Sequence, residues 1–187
     1  MKSLEHFKER IEVANQHLAD ECKAYKMDSE KGGNNMRKTV GLGDCHCCDY
    51  FLPMNDFVVL IEETRLLKRI ENIRNEYSYL NDQDKDNAVN TGIRNRMHIK
   101  VYGAMLVLCR LMEKYSDARK VIQNKKYCFW LVASKIDTQE QKIFFDNLKD
   151  SLRQNLRQYL GKELLDDVEI ISSQNLKERL QENANLS

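Results

Sequence analysis

The chain has 187 residues, about one domain's worth and enough to bury a core; 42% are hydrophobic and 32% charged, with only 7 Gly and 1 Pro. That composition excludes a disordered or low-complexity chain and leaves one ordered domain spanning 1–187. The net charge of +1 selects no partner, and the longest nearly uncharged apolar run, Val101 to Cys109 continuing to Met112, is shorter than the roughly 18–20 residues a bilayer span requires.

The first ten residues alternate charged with apolar positions and lack the unbroken apolar segment of a secretory signal, so a cytoplasmic location is expected. There the six cysteines are expected to be free, buried thiols. Charge is unevenly spread: between Ile93 and Lys126 nine Lys/Arg face two acids, a local +7, while the remainder carries −6. Such a region suits phosphates, although an ordinary solvated helix surface fits the same pattern.

In chain order, Leu4, Phe7, Ile11, Ala14, Leu18, Cys22 and Tyr25 recur every three or four residues and predict an amphipathic helix over the first 25 positions. Gly32-Gly33-Asn34-Asn35 signals a turn, and Met36 to Val40 reads as a short strand or hairpin arm. An antiparallel strand pair follows, 46–52 with 57–64, joined by the turn residues Pro53-Met54-Asn55-Asp56. The second strand is continuously apolar and should be central. Leu66, Ile70, Ile73, Tyr77 and Leu80 predict a helix, 81–92 reads as a polar loop insertion, and a buried helix is expected from Ile93 to Tyr115. Tyr127 to Ala133 is a strand, Thr138 to Leu160 a helix stopped by Gly161, Val168 to Ile171 a strand, and Asn175 to Gln181 a helix. Strands separated by a helical crossover imply an α/β fold with a mixed central sheet flanked by helices.

The strand pair carries the candidate chemistry. Side chains alternate along a strand, so Glu62 and Thr64 share a face, and Asp49 on the partner strand can lie opposite them. Two carboxylates there could share one divalent ion such as Mg²⁺ or Mn²⁺ with a substrate phosphate. The same acids, Glu62-Glu63 before Arg65, also suit the start of a helix. Asp44-Cys45-His46-Cys47-Cys48 gathers metal-binding types, but too tightly for the usual zinc spacing, and Cys45 and His46 point to opposite faces of an extended segment. No nucleotide-binding glycine motif is present.

Asp49 in Cys-Asp-Tyr-Phe-Leu, a turn, and then Phe-Val-Val-Leu-Ile-Glu-Glu-Thr resembles the PD-(D/E)xK, or restriction-endonuclease-like, nuclease superfamily. The resemblance covers residues 1–160 in element order, but its motif is only a few residues long. It implies a restriction-endonuclease-like core, with Asp49, Glu62 and the Glu63 carbonyl as metal ligands and a first-helix glutamate, here Glu21, as a further one; His17 is a second first-helix candidate. It also implies hydrolysis of nucleic-acid phosphodiester bonds. The motif lysine falls on Thr64, which cannot supply a cation. Lys100 and Arg65 are the substitutes, Lys68 being expected to face solvent. Arg65, Arg94, Arg96 and Lys100 are the expected nucleic-acid contacts. Two further readings stand beside this one: a catalytically inactive relative that binds nucleic acid or a protein, and a helical interaction protein forming a homodimer.

Overall fold

A computed structural model describes residues 3–13, 16–18, 22–28, 35–133, 136 and 138–185. Eight strands are present among them: β1 (Lys8–Arg10), β2 (Glu12–Val13), β3 (Gln16–His17), β4 (Lys23–Lys26), β5 (Tyr50–Pro53), β6 (Phe57–Glu63), β7 (Lys126–Ala133) and β8 (Leu165–Ser172). The helices are α1 (Met36–Thr39), α2 (Leu66–Glu76), α3 (Asp82–Lys114), α4 (Ser116–Ile122), α5 (Gln139–Leu160) and α6 (Ser173–Asn185). Six strands form one mixed sheet in the order β1-β4-β5-β6-β7-β8, antiparallel from β1 to β6 and parallel from β6 to β8. The expected α/β class, the antiparallel β5–β6 pair and the interior place of β6 hold, and the sheet sets aside a purely helical architecture.

Alternation along β6 splits the core in two. Val58 and Leu60 join Phe51, Phe129 and Leu131 beneath α2–α5. Val59 and Ile61 join Tyr50, Trp130 and Val132 beneath α6 and the Ile11–Val13 segment. Continuing each series by two places Glu62 and Asp49 on the α3 side.

Three expectations fail, each for a physical reason. In place of an N-terminal helix there is a short 3-10 turn, Leu4–Phe7, and then strands. Ile11 and Val13 are buried around the less buried Glu12, and Cys22 and Ala24 around the exposed Lys23, a period of two hidden in a sequence that also satisfies three-to-four spacing. Asp117 anchors the turn from outside, its Oδ2 accepting from Leu4 N at 2.7 Å and Ser3 Oγ at 2.9 Å. Residues 36–39 are helical, capped by Asn35 Oδ1 accepting from Lys38 N. The 81–92 segment is no loop insertion but the first turns of α3: Asn81 Oδ1 accepts from Asp84 N at 3.0 Å, and Asp82 and Asp84 favour the positive helix start. Its polarity reflects exposure, for only Val89 is fully buried before Ile93. Elsewhere local signals suffice: a capping box joins Thr138 and Gln141, and Gly161, at φ 83°, ends α5. Among the described residues no helix is long and apolar enough to cross a membrane.

Candidate functional site

The β5–β6 register pairs Tyr50 with Ile61, which sets Asp49 across from Glu62 one step beyond the ladder. Asp49 is fixed by its Oδ2, which accepts from Glu63 N at 2.8 Å. Glu62 is only 1% exposed. Into this pair reaches Lys100 from α3. Its Nζ donates to Glu62 Oε1 and lies 3.9 Å from Asp49 Oδ1.

Lys100 is positioned by helical phase. It borders the buried stripe of Ile93, Met97, Val101, Ala104 and Leu108, so its aliphatic stem is packed while its ammonium meets the carboxylates. Gly103, one turn further on, governs how closely the chain approaches. A Cβ at Gly103 would stand 1.8 Å from the His46 carbonyl oxygen and 2.9 Å from Cys45 Sγ. The 45–48 segment leading into Asp49 therefore lies directly against the α3 backbone. Arg37 braces that segment, donating to the Cys45 carbonyl at 2.6 Å and pairing with Asp28 at 2.5 Å.

The electrostatics are unbalanced. Burial, reinforced by the Asp49 charge and opposed by Lys100, pushes the Glu62 carboxyl up to about 8. Burial likewise raises Asp49 to about 6 against the pull of Lys100 and the Glu63 N–H. Lys100 goes up as well, because the two carboxylates outweigh the burial that would lower it. One ammonium can balance only one ionised carboxylate, so the second carboxyl keeps its proton until the pH rises toward the Glu62 value. Glu62 Oε2 is buried without a hydrogen-bond partner.

Thr64 continues the strand by backbone alone, its N–H donating to the Val132 carbonyl at 3.3 Å and its carbonyl accepting from Leu66 N at 2.7 Å. Arg65 is exposed at the start of α2, and Lys68 is exposed as expected. Arg96, exposed one turn before Lys100 on α3, is near enough to act on Glu62. Arg94 is not with them: it shares the other stripe of α3 with His98 and Tyr102, roughly 160° round the helix from Arg96. Glu21 lies outside the described residues; the helix expected to present it is replaced by strands, and His17 sits in β3, opposite Glu12. Cys47 and Cys48 are buried thiols, raised by that burial, and Cys45 is half-buried. Among the described residues no three His, Cys, Asp or Glu side chains converge.

Two residues of this region escaped sequence reasoning. Gly103 carried a signal, a glycine inside an otherwise apolar helix, which usually marks close packing. Arg69 carried a weaker one, its four-residue spacing from Arg65. Compared with protein-family models, with curated proteins and with solved structures, the chain matches none.

Proposed function

We propose that this protein is a divalent-metal-dependent, nuclease-type phosphodiesterase on a restriction-endonuclease-like core, with Lys100 of α3 in the role that the resemblance assigns to position 64. The observation that carries the reading is the approach of one lysine, from a separate element, to both the Asp49 and Glu62 carboxylates. The α2–α4 crossover between the parallel strands β6 and β7 supports the core.

The residues present fit a hard cation. Two carboxylates, one of them with a buried oxygen, Glu62 Oε2, that has no hydrogen-bond partner, suit Mg²⁺ or Mn²⁺, ions that keep several waters and take few protein ligands. Asp49 and Glu62 would hold it, with the Glu63 carbonyl beside them. When bound, the cation supplies Lewis-acid polarisation of the phosphodiester and acidification of water. Lys100, charged at neutral pH, acts as a hydrogen-bond donor rather than a base. Its remaining N–H groups orient the attacking water or a phosphoryl oxygen and offset the charge that builds there. The Asp49 bond to Glu63 N keeps the carboxylate aimed at the site.

The test is incubation of labelled single- and double-stranded DNA and RNA with Mg²⁺, Mn²⁺ or EDTA. Cleavage should require the metal and fall at least about 100-fold in Asp49→Ala, Glu62→Ala and Lys100→Met, the scale expected for loss of a charge-stabilising group. Cleavage that ignores these changes sinks the reading. The direct Lys100–Glu62 bond favours a second reading, in which the ammonium takes the cation's place and the protein binds nucleic acid without cutting it. Salt-sensitive binding without cleavage would select that one.

A further inference from the structure

We propose that Arg69 of α2 and Arg96 of α3 form a two-arginine clamp for a backbone phosphate of a nucleic-acid strand, next to the one held at Lys100. The substrate class rests on the reading above; the clamp rests on the geometry of α2 and α3.

The two helices run antiparallel. Arg74 pairs with Asp86 at 2.6 Å, and a Cβ at Gly92 would meet Ile73 Cδ1 at 3.2 Å, while the start of α2 emerges from the strand whose Glu62 receives Lys100. As α2 is ascended, its partners on α3 therefore descend from Lys100 to Asp86. Arg69 is one turn before Ile73 and Arg96 one turn after Gly92, so the two share a level. Burial lowers the Arg69 guanidinium, and the Arg96 charge lowers it further, as expected of neighbouring cations.

Among the described residues no carboxylate is dedicated to this pairing. Arg69 has Arg65, Leu66, Asn72 and Ile73 at three and four residues' distance; Arg96 has Gly92, Ile93, Ile99 and Lys100. None is an acid. The carboxylate that acts on both is Glu62, already bound by Lys100. Two guanidinium groups held side by side, one half-buried, are suited to the oxygens of a single phosphate through paired N–H donors. Arg96 and Lys100, four residues apart, are separated by about 6 Å along the α3 axis, a step that suits successive phosphates of an extended strand. The clamp would hold one phosphate while its neighbour lies against the carboxylates.

The experiment measures binding of labelled single-stranded and duplex oligonucleotides in EDTA across a salt series, for the wild type, Arg69→Gln, Arg96→Gln, the double variant and the control Lys68→Gln. The double variant should bind at least about tenfold more weakly at low salt, and its log–log salt slope should shrink by roughly 0.7–0.9, one phosphate's worth. Its thermal midpoint should stay level or rise as repulsion is relieved, and Lys68→Gln should match the wild type. Unchanged affinity and slope in the double variant overturn the clamp, as does a wild type that binds no oligonucleotide. A lowered midpoint with unchanged slope overturns it by making the arginines counter-charges for Glu62. Full competition by inorganic phosphate at oligonucleotide concentrations overturns the strand as its ligand. Metal-dependent cleavage, run in parallel, separates the two proposals: cleavage with clamp-independent binding defeats the clamp alone, and clamp-dependent binding without cleavage defeats hydrolysis alone.

Discussion

Two carboxylate–cation clusters sit on opposite faces of the same sheet, and they are built on opposite principles. Under α6, Arg179 meets Glu169 through two parallel bonds of 2.8 and 2.7 Å while its guanidinium lies 5.1 Å from the centre of the Trp130 ring. Each charge there has one partner, both side chains are about one-third exposed, and the geometry is the bidentate match that arginine makes with a carboxylate. Under α3, Lys100 serves two carboxylates, the deeper of them 1% exposed, and one oxygen is left without a partner. A cluster whose only task is to hold elements together gains nothing from a second buried carboxyl on the same ammonium, because ionising it there costs several kcal/mol of desolvation. The contrast marks the Arg179 pair as a clasp, and the uneven charge at Lys100 is what the proposed cation site rests on.

If that contrast is right, the largest effect outside the charged groups themselves comes from Gly103. Alanine there cannot be accommodated by a rotamer change, since its methyl would overlap the His46 carbonyl. Either the 45–48 segment moves, carrying Asp49 with it, or the helix shifts. Overpacking of this kind costs about 1–3 kcal/mol or more, hence a thermal midpoint lower by at least several degrees in a chain of this length. Metal-dependent cleavage should fall by at least about tenfold in whatever fraction remains folded. Calorimetry and an activity assay on Gly103→Ala check both. Wild-type stability would show that the 45–48 segment does not rest on α3.

A smaller effect should appear with pH. The folded Glu62 and Asp49 carboxyls lie above their unfolded values of about 4.5 and 3.8, so between about pH 4 and 8 the folded state holds more protons than the unfolded one. Stability without metal should therefore be fully present at the acid end and decline as pH rises through the folded values. Mg²⁺ or Mn²⁺ should reverse the decline by replacing the proton, and its affinity should grow over the same range. Glu62→Gln, which mimics the protonated acid, should flatten the metal-free profile above pH 7 while abolishing the response to metal. A flat wild-type profile would mean that Lys100 alone satisfies both acids.

How far these features were legible beforehand follows from how local their causes are. Asp49 and Glu62 could be read because strand alternation and the Pro53-Met54-Asn55-Asp56 turn fix their relation within fifteen residues. Thr138, Gln141 and Gly161 bound α5 by capping chemistry alone. The N-terminal segment misled because its apolar residues fit two periods, and the choice was made by the sheet edge it completes and by Asp117, more than a hundred residues away. Lys100 could be named as a substitute cation on the expected 93–115 helix but not placed against the carboxylates, since that needs the packing of α3 on the sheet; only the polar first turns of α3, from Asp82 to Gly92, were hidden. The Arg69–Arg96 pairing needed the antiparallel register of two helices, which no single stretch of sequence carries.

The smallest effect belongs to the clasp. Arg179→Met retains an apolar stem over Trp130 but removes a partly exposed ion pair and a cation–π contact, each worth about 1 kcal/mol or less. The thermal midpoint should fall by only a few degrees. The loss should shrink in high salt as screening weakens the pair. Metal affinity and cleavage should not change, since α6 touches the face of the sheet opposite Glu62. A change in either would mean that the two faces are coupled through β7, whose Trp130 and Leu131 point to opposite sides; the Arg179 pair would then set the position of the Lys100 site as well as the seat of α6.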